Sequence, residues 1–304
     1  MVRDQICTDG AADCSQEIVK WGVDSEYGVL KDVLLCSPEH YGWVPINSVV
    51  KEKMTETIPN VLAAEEQHEE IVAAFKENGV DVHFLQPKPH LIFQSDTRDS
   101  SQMTPWGAAI LQLRHIERRG EYAPVIEFYH SRGIPISLMS SIGTIEGGDI
   151  SITKPGLVIV GYSGERTTRE GAEEFTALFK EEGWRVHLQP FPEHFLHLDV
   201  IFSMAAENLA LVCTDVVPDA FLDFLAQEKI RVIPVTYKEA MELGCNVVSL
   251  GDDRVMTSKH NRSVIEKLRA EGLKVVDPYF PEFAKGGSGI HCLTMPLRRE
   301  TVAA

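Results

Sequence analysis

A cysteine near the end of the chain lies in a segment suited to a nucleophile. Cys292 follows a histidine and a glycine-rich turn in the segment GSGIHCLTMPL, residues 287–297, and precedes a short apolar run. The thiolate is the reactive form of cysteine, so the residue needs a nearby cation or an acid/base partner. Taken alone, Cys292 is more commonly a buried structural thiol. Its chemistry therefore depends on the side chains that the fold brings next to it.

Four polar residues earlier in the chain could provide those partners. His197 could be the acid/base partner, and Asp199, at i+2 on the same strand face, could orient the imidazole or bind substrate. Asp99 and Glu146 would be costly to bury together unless a cation lies between them. A guanidinium satisfies this, because its N–H donors match carboxylates in pairs and its central carbon is open to thiolate attack. The set predicts a reaction on a small cationic guanidino substrate.

A zinc site is the alternative for some of the same side chains. His197 and Asp199 could pair with Cys292 as metal ligands. However, one cysteine without a closely spaced second pair of ligands departs from the ligand patterns of protein zinc sites. We therefore favour the thiolate interpretation.

An internal repeat predicts the elements that would position these residues. A helical pattern closed by a turn and followed by a β-rich run occurs five times, with turn positions at Gly79, Gly133, Gly183, Lys229 and Gly272. Paired strand-like runs, such as 149–153 with 157–160, lie between these patterns. Each unit is therefore predicted to contain two strands, a helix and a strand. At the third helix, Thr167 and Glu170 predict a capping box.

Five such ββαβ units predict an α/β fold, a five-bladed pseudo-symmetric α/β propeller. We expect a polar N-terminal arm at residues 1–22, followed by a single catalytic domain at residues 23–304. A doubly wound sheet is the alternative, but its βα alternation would not need paired strands before each helix.

The candidate residues fall at comparable points of the repeated units. Asp99, Glu146, His197 and Cys292 each follow the turn position of a different unit at a similar distance along the chain. Equivalent points of a cyclic array converge at one end of its axis. The repeat therefore predicts that residues far apart in sequence meet in one central pocket.

The amino-acid composition limits the classes of partner that the protein is expected to bind. The net charge of −16 argues against a nucleic-acid or anionic-membrane surface and favours encounter with cationic small molecules. We find no apolar stretch of membrane-spanning length and no apolar core of a signal peptide, so we expect a cytoplasmic protein, with a homodimer as one possible assembly. Six cysteines at irregular spacing predict free thiols.

Four motifs in this order resemble those of the guanidine-modifying enzymes. They are TRD at 97–99, EGGD at 146–149, HLD at 197–199 and GIHCLTMPL around Cys292. That superfamily contains the arginine deiminases, the dimethylarginine dimethylaminohydrolases, the arginine dihydrolases and the amidinotransferases. The resemblance extends from about Tyr27 to Leu297. It implies a five-bladed α/β propeller, in agreement with the repeat, and neither a metal nor an organic cofactor.

The resemblance also implies roles for individual residues. Cys292 would attack the guanidinium carbon to give a covalent amidino-thioether. His197 would act as the acid for the departing amine and then as the base that activates water. Asp99 and Glu146 would bind the guanidinium, with Asp199 assisting. Two arginines, Arg118 and Arg166, match positions that hold a substrate α-carboxylate in the family.

Single residues favour one branch of the superfamily. Glu146 is similar to the hydrolases, whereas glycine amidinotransferases carry an aspartate there. HLD resembles the deiminases more than the dimethylaminohydrolases, and the dihydrolases place an asparagine where Asp99 stands. We expect a hydrolase of the guanidinium C–N bond that gives a ureido product and ammonia or an alkylamine. The alternatives are an amidinotransferase, a dihydrolase that gives ornithine, and an idle binding protein, against which the intact set of residues argues.

Some positions leave two interpretations open. Asp96 stands where the deiminase and dimethylaminohydrolase patterns usually have phenylalanine, so it could contact a second cationic group or face solvent. Arg118 lies in ERRGE and could belong to a solvated charge cluster, and Arg166 could pair with Glu170 across a helix turn. The segment 37–50, which contains Tyr41 and Trp43, could be a lid or a static loop whose aromatics fill a minor core.

Overall fold

Each predicted repeat folds as a small three-stranded sheet in the computed structural model, which describes residues 20–44 and 59–302. The strands in these ranges are β1 (Leu30–Cys36), β2 (Asp81–Leu85), β3 (Ser101–Thr104), β4 (Gly107–Ile110), β5 (Ile136–Met139), β6 (Ile150–Lys154), β7 (Leu157–Tyr162), β8 (Arg185–Pro190), β9 (Phe202–Ala206), β10 (Leu209–Cys213), β11 (Arg231–Val235), β12 (Val248–Gly251), β13 (Arg254–Met256), β14 (Lys274–Val276) and β15 (Met295–Arg299). The helices are α1 (Val61–Glu77), α2 (Tyr122–Ser131), α3 (Arg169–Glu181), α4 (Asp219–Gln227), α5 (Tyr237–Met241), α6 (Arg262–Ala270) and α7 (Pro281–Lys285). Short 3₁₀ turns lie at Ile116–Arg118, Gly147–Asp149 and Leu198–Val200.

All five sheets share one topology. The central strand pairs antiparallel with one neighbour and parallel with the strand that follows the helix, as β7 does with β6 and β8. Four units therefore have the predicted order of two strands, a helix and a strand. The first unit takes its outer strand from the other end of the chain, because β15 pairs antiparallel with β1 through Leu34 and Met295. The two ends of the described chain are thus joined in one sheet.

The turns that close the repeated helices lie at the five predicted positions and are left-handed. The five residues in this conformation have φ angles between 60° and 88°, at Gly79, Gly133, Gly183, Lys229 and Gly272. Glycine adopts this region without steric cost, whereas the lysine must accept the strain of a Cβ atom. The register of the five units is therefore the one that the sequence indicates.

The helices pack on the sheets through apolar faces. In α3, Phe175 and Phe179 are fully buried, and the ring of Phe179 contacts Trp106 and Trp184 with centroids 5.1 and 5.3 Å apart. Full burial of one such side chain contributes roughly 1.5–3 kcal/mol. Val264 and Leu268, which lie four residues apart, are likewise buried in α6.

The chain joins the first sheet at the predicted end of the N-terminal arm. Residues 1–19 of that arm lie outside the described residues. Gly22 donates its N–H to the carbonyl of Leu297 at 3.1 Å and accepts from the N–H of Arg299 at 3.1 Å. The described chain therefore begins by pairing with β15.

Two further expectations concern the described ranges alone. Four cysteines there are free and buried, as predicted, namely Cys36, Cys213, Cys245 and Cys292. Of the helices in these ranges, none combines the length and apolar character that crossing a bilayer requires.

Candidate active site

Five polar side chains stand at equivalent places in the five sheets. Each lies shortly before the first strand of its sheet, in the order Asp99 before β3, Glu146 before β6, His197 before β9, Asn246 before β12 and Cys292 before β15. The sequence predicted four of these five. Because successive sheets repeat one topology, these five loops all leave their sheets at the same end of the strands.

Hydrogen bonds tie the loops to one another. Arg98 donates its backbone N–H to the carbonyl of Cys292 at 3.1 Å, and Gly147 donates to the carbonyl of Asp99 at 3.2 Å. The N–H of Leu198 donates to Asp149 Oδ1 at 2.8 Å. These bonds join segments that are distant in sequence and fix their side chains in one place.

The loops enclose a small cavity. Its lining is Phe93, Asp96, Asp99, Arg118, Arg166, Leu196, His197, residues 286–288 and Cys292. Six of the eight predicted site residues therefore share one cavity, and the other two, Glu146 and Asp199, contact its lining. The cavity measures about 20 Å³, which is room for about one water molecule. A substrate must therefore shift some of these side chains as it enters.

Two polar side chains contact the cysteine sulfur. Asn246 donates from Nδ2 to Cys292 Sγ at 3.2 Å, and Sγ lies 3.5 Å from Asp199 Oδ2. His291 Nδ1 lies 2.9 Å from the same oxygen. Burial raises the pKa of the Cys292 thiol well above its usual value, and the carboxylates of Asp199, Asp99 and Asp96 add to this rise. In this structure the surroundings of Cys292 therefore favour the neutral thiol.

The predicted relation between Asp199 and His197 is wrong. Asp199 lies in the 3₁₀ turn Leu198–Val200 and not on a strand, so the alternation that places i and i+2 on one face does not apply. Its carboxylate contacts Cys292 and His291 instead. Burial opposes ionisation of Asp199, but the hydrogen bond and charge of His291, together with His197 and Cys292, outweigh it and lower the pKa of the carboxyl group.

Carboxylates surround the His197 ring. Its Nε2 lies 2.8 Å from Glu146 Oε2, and its Nδ1 lies 3.8 Å from Asp99 Oδ1. Burial alone would lower the pKa of the imidazole, but Asp99, Glu146 and Asp149 outweigh it and raise the pKa to about 10. His197 is therefore a cation at neutral pH and holds a proton that it can give to a leaving group.

Both predicted arginines are buried beside the carboxylates. Arg118 Nη1 lies 2.7 Å from Asp99 Oδ2, and its Nε and Nη2 donate to the Glu121 carboxylate at 2.9 and 2.8 Å. With 3% exposure, Arg118 does not belong to a solvated charge cluster. Arg166 donates from Nη1 to Glu146 Oε2 at 3.0 Å. It therefore pairs with the buried Glu146 and not with Glu170, which was the alternative interpretation.

Asp96 is buried in the cavity, so the interpretation that it faces solvent is wrong. It lies in the turn 96–99, in which the N–H of Asp99 donates to its carbonyl at 3.3 Å. Within the described ranges, its Oδ1 has no hydrogen-bond partner. Burial raises the pKa of Asp96 to about 6, although Arg118 opposes the rise.

One group of these side chains also has the spacing of metal ligands. Single donor atoms of Asp99, Glu146 and His197 all lie within 4.8 Å of one another. The guanidinium groups of Arg118 and Arg166 already contact these carboxylates at 2.7 and 3.0 Å. The predicted zinc set is also divided, because Asp199 contacts Cys292 whereas His197 contacts Glu146.

Several contacts at the site were missed from the sequence. The number of residues between Lys229 and Asn246 lies within the range that separates the four predicted residues from their own turns. This spacing could have identified Asn246. Thr167 was predicted to cap α3, but Thr168 does so by accepting from the N–H of Gly171 at 3.1 Å. The Thr167 hydroxyl instead accepts from the N–H of Glu146 at 3.1 Å and so positions that residue.

Part of the segment proposed as a lid lies beside the cavity. Tyr41 and Trp43 are buried, and the Tyr41 ring packs on Phe283 with centroids 5.1 Å apart. Residues 45–50 of the segment lie outside the described residues. The aromatic side chains thus belong to a core, while a lid function stays a prediction.

Comparison with known proteins gives the context of this site. The family model described as N,N dimethylarginine dimethylhydrolase, eukaryotic, matches residues 45–299. The uncharacterized protein YkgA of Bacillus subtilis is 30% identical over 275 residues, which cover 90% of this chain and 94% of YkgA. Arginine deiminase of Mycobacterium avium is 27% identical over 253 residues, which cover 71% of this chain and 62% of the deiminase. The chain therefore spans less than two thirds of that deiminase.

Solved structures share the fold. SxtG, an amidinotransferase from Microseira wollei in the saxitoxin biosynthetic pathway, superposes with a TM-score of 0.79 at 16% identity, covering 93% of this chain and 98% of SxtG. At this level of identity the likeness concerns the fold alone.

Proposed function

The chain belongs to the N,N-dimethylarginine dimethylhydrolase family, within the guanidine-modifying superfamily, and we propose that it is a cysteine-dependent hydrolase of a guanidinium C–N bond. The substrate would be arginine or a related guanidino compound. The products would be a ureido compound and ammonia or an alkylamine.

One observation carries this proposal. A thiol, an imidazolium and a carboxylate from three different sheets line the same cavity, in Cys292, His197 and Asp99. These are the three groups that the reaction needs, namely a nucleophile, a proton donor and an anion that binds the guanidinium. Their burial excludes bulk water, which strengthens the interaction of the carboxylates with a cationic substrate.

The first half of the reaction would form a covalent intermediate. The thiol proton passes to Asp199, whose Oδ2 lies 3.5 Å from Sγ, and the cationic substrate favours the thiolate. The sulfur of Cys292 bonds to the guanidinium carbon. As the C–N bond breaks, His197 gives its proton to the departing nitrogen. Among the described residues, His197 Nδ1 has no hydrogen-bond partner, so its proton is not held by another group.

The second half would release the product. Neutral His197 takes a proton from water, and the resulting hydroxide adds to the same carbon. The C–S bond then breaks, Asp199 returns its proton to the sulfur, and the hydroxyl proton passes to solvent, so that the carbon keeps the oxygen as a ureido group. Asp99 and Glu146 hold the guanidinium throughout, and Arg118 and Arg166 are the proposed ligands of a substrate α-carboxylate. Arg166 has the freer donor, because its Nε has no hydrogen-bond partner within the described ranges.

The test is a product assay. Incubation with arginine, methylated arginines and other guanidino compounds should give a ureido product together with ammonia or an alkylamine. Cys292→Ser should abolish turnover, whereas Cys213→Ser, a matched change of a buried thiol in β10, should retain it. Mass spectrometry of the stopped reaction should find the added amidino group on Cys292.

Other products would reject this proposal. A new guanidino compound that forms only when an amine such as glycine is added would indicate an amidinotransferase. Ornithine with two equivalents of ammonia would indicate a dihydrolase. Binding of guanidino compounds without any product would indicate a binding protein.

We also infer that the five sheets form a closed ring and that residues 23–304 are one domain. Contacts between β15 and β3, β6 and β9, β9 and β12, and β12 and β1 support this. The bond between Asp99 and Gly147 links the second and third sheets. The pairing of β1 with β15 would close the ring.

A further inference from the structure

We propose that Asp96 binds a second cationic group of the substrate, so that the preferred guanidino compounds carry a primary ammonium group on the tail. The proposal rests on the hydrolase function proposed above and specifies its substrate class.

The position of Asp96 is fixed by the backbone. Its N–H donates to the carbonyl of Phe93 at 2.9 Å, and its carbonyl accepts from Asp99. The hydroxyl of Thr97, the next residue, donates to the carbonyls of Leu34 and Leu293, each at 3.0 Å. The turn is thus anchored between β1 and the cysteine loop, and it presents Asp96 and Asp99 to one cavity.

Of the two carboxylates that line the cavity, Asp96 is the one without an ion pair among the described residues. Asp99 contacts Arg118, Glu146 contacts Arg166 and His197, and Asp199 contacts His291. Asp96 has no such ion pair among the described residues, and its Oδ1 is without a hydrogen bond. Ser288 gives the Asp96 carboxyl group one hydrogen bond, but a buried carboxylate without an ion pair is costly, since burial removes its hydration. A cation entering the cavity would remove that cost.

A substrate ammonium group suits this position better than a second guanidinium. The carboxylates of Asp99 and Glu146 already form the proposed guanidinium site. Asp96 has one free oxygen, and an ammonium is a compact charge that needs only single acceptors, whereas a guanidinium prefers paired ones. The negatively charged chain also favours the approach of a substrate with two positive charges.

Two matched pairs of compounds test the proposal. Agmatine and pentylguanidine differ by an ammonium in place of a methyl group, and arginine and 5-guanidinopentanoate differ by the α-ammonium. Calorimetry on Cys292→Ser measures binding, and kcat/KM of the enzyme with intact Cys292 measures turnover, both at pH 8, above the pKa of Asp96 of about 6. In at least one pair, we expect the ammonium compound to be preferred by roughly 10- to 100-fold.

The variant Asp96→Asn removes the charge and keeps the shape. The preference should then fall to within about threefold, since a neutral amide cannot form the charge-assisted bond. Asp223→Asn, a matched change at a position of α4 outside the cavity, should keep the preference. Thermal unfolding of each variant checks the fold, and the measurements with native Asp96 stand even where Asp96→Asn fails to fold.

The outcomes separate the two proposals. Turnover without a preference for either ammonium compound, or a preference that Asp96→Asn leaves intact, overturns the ammonium site and keeps the hydrolase. A preference in binding that depends on Asp96, without turnover of any compound, keeps the ammonium site and rejects the hydrolase. Failure of all four compounds to bind overturns the ammonium site.

Discussion

At the scale of single residues, the site is a balance of buried charges. His197 lies among three carboxylates and is held as a cation, while Cys292 lies beside Asp199 and is held as a neutral thiol. The site thus differs from a preformed thiolate–imidazolium pair only at the sulfur, which keeps its proton. In the proposed reaction, entry of a guanidinium would favour the thiolate, because it would bring further positive charge next to that sulfur. The substrate would then take part in activating its own nucleophile.

The charge on His197 predicts a pH dependence of stability. Its pKa is about 10 in the folded chain against 6.5 for an ordinary histidine, so the folded state binds the proton more tightly. The stabilisation is fully present below about pH 6.5 and is lost as the pH rises through about 10. We expect His197→Asn to lower the free energy of unfolding most at pH 6 and least above pH 10. Urea denaturation at several pH values measures this, and a difference that grows with pH would contradict it.

At the scale of elements, a short turn before β6 sets the position of His197. The turn Gly147–Asp149 packs directly against the imidazole, and its Asp149 holds the N–H of Leu198. A Cβ atom on Gly148 would lie 2.6 Å from His197 Nδ1 and 2.7 Å from its Cγ. Glycine is required at position 148 because the His197 ring lies too close for a Cβ atom, and not because of its backbone conformation.

We therefore expect Gly148→Ala to impair turnover with the fold retained. The added methyl group must displace the His197 ring, and a displacement of this kind costs roughly 100-fold in rate. Gly79→Ala is the control, because it is left-handed at the end of α1 with open space around its Cβ. It should cost about 1 kcal/mol of stability and leave kcat/KM near that of the unmodified chain. Equal rates for the two variants would show that the contact with His197 does not matter.

At the scale of the whole molecule, the C-terminal strand connects the site to the first sheet. Strand β15 follows the cysteine loop directly and pairs with β1. Its side chains Met295 and Leu297 are fully buried with residues of the second and third sheets, among them Met103 and Ile152. The position of Cys292 therefore depends on packing that involves both ends of the chain.

Truncation of β15 side chains should destabilise the molecule as a unit. Leu297→Ala removes buried methyl groups and leaves a cavity, which costs about 2–5 kcal/mol. Leu62→Ala, at a side chain that is 72% exposed in α1, should change stability by less than about 0.5 kcal/mol. Chemical denaturation followed by circular dichroism measures both. Similar values for the two variants would indicate that β15 adds little to the common core.

The sequence alone determined the local features and their spacing. Glycines and one lysine placed the five turns, and the equivalent spacing of Asp99, Glu146, His197 and Cys292 predicted a shared pocket. These predictions succeed because turn residues and hydrophobic periodicity determine structure over only a few residues. In a repeat, residues at equivalent positions of the units also occupy equivalent places in the fold.

The tertiary structure alone decided which side chains touch. It paired Asp199 with Cys292 rather than His197, brought Asn246 to the sulfur, and left Asp96 without an ion pair among the described residues. These contacts join residues that are far apart in the sequence. They depend on the orientation of short turns and on which buried charges find partners, and both follow from packing between sheets. Periodicity within a segment carries no information about either.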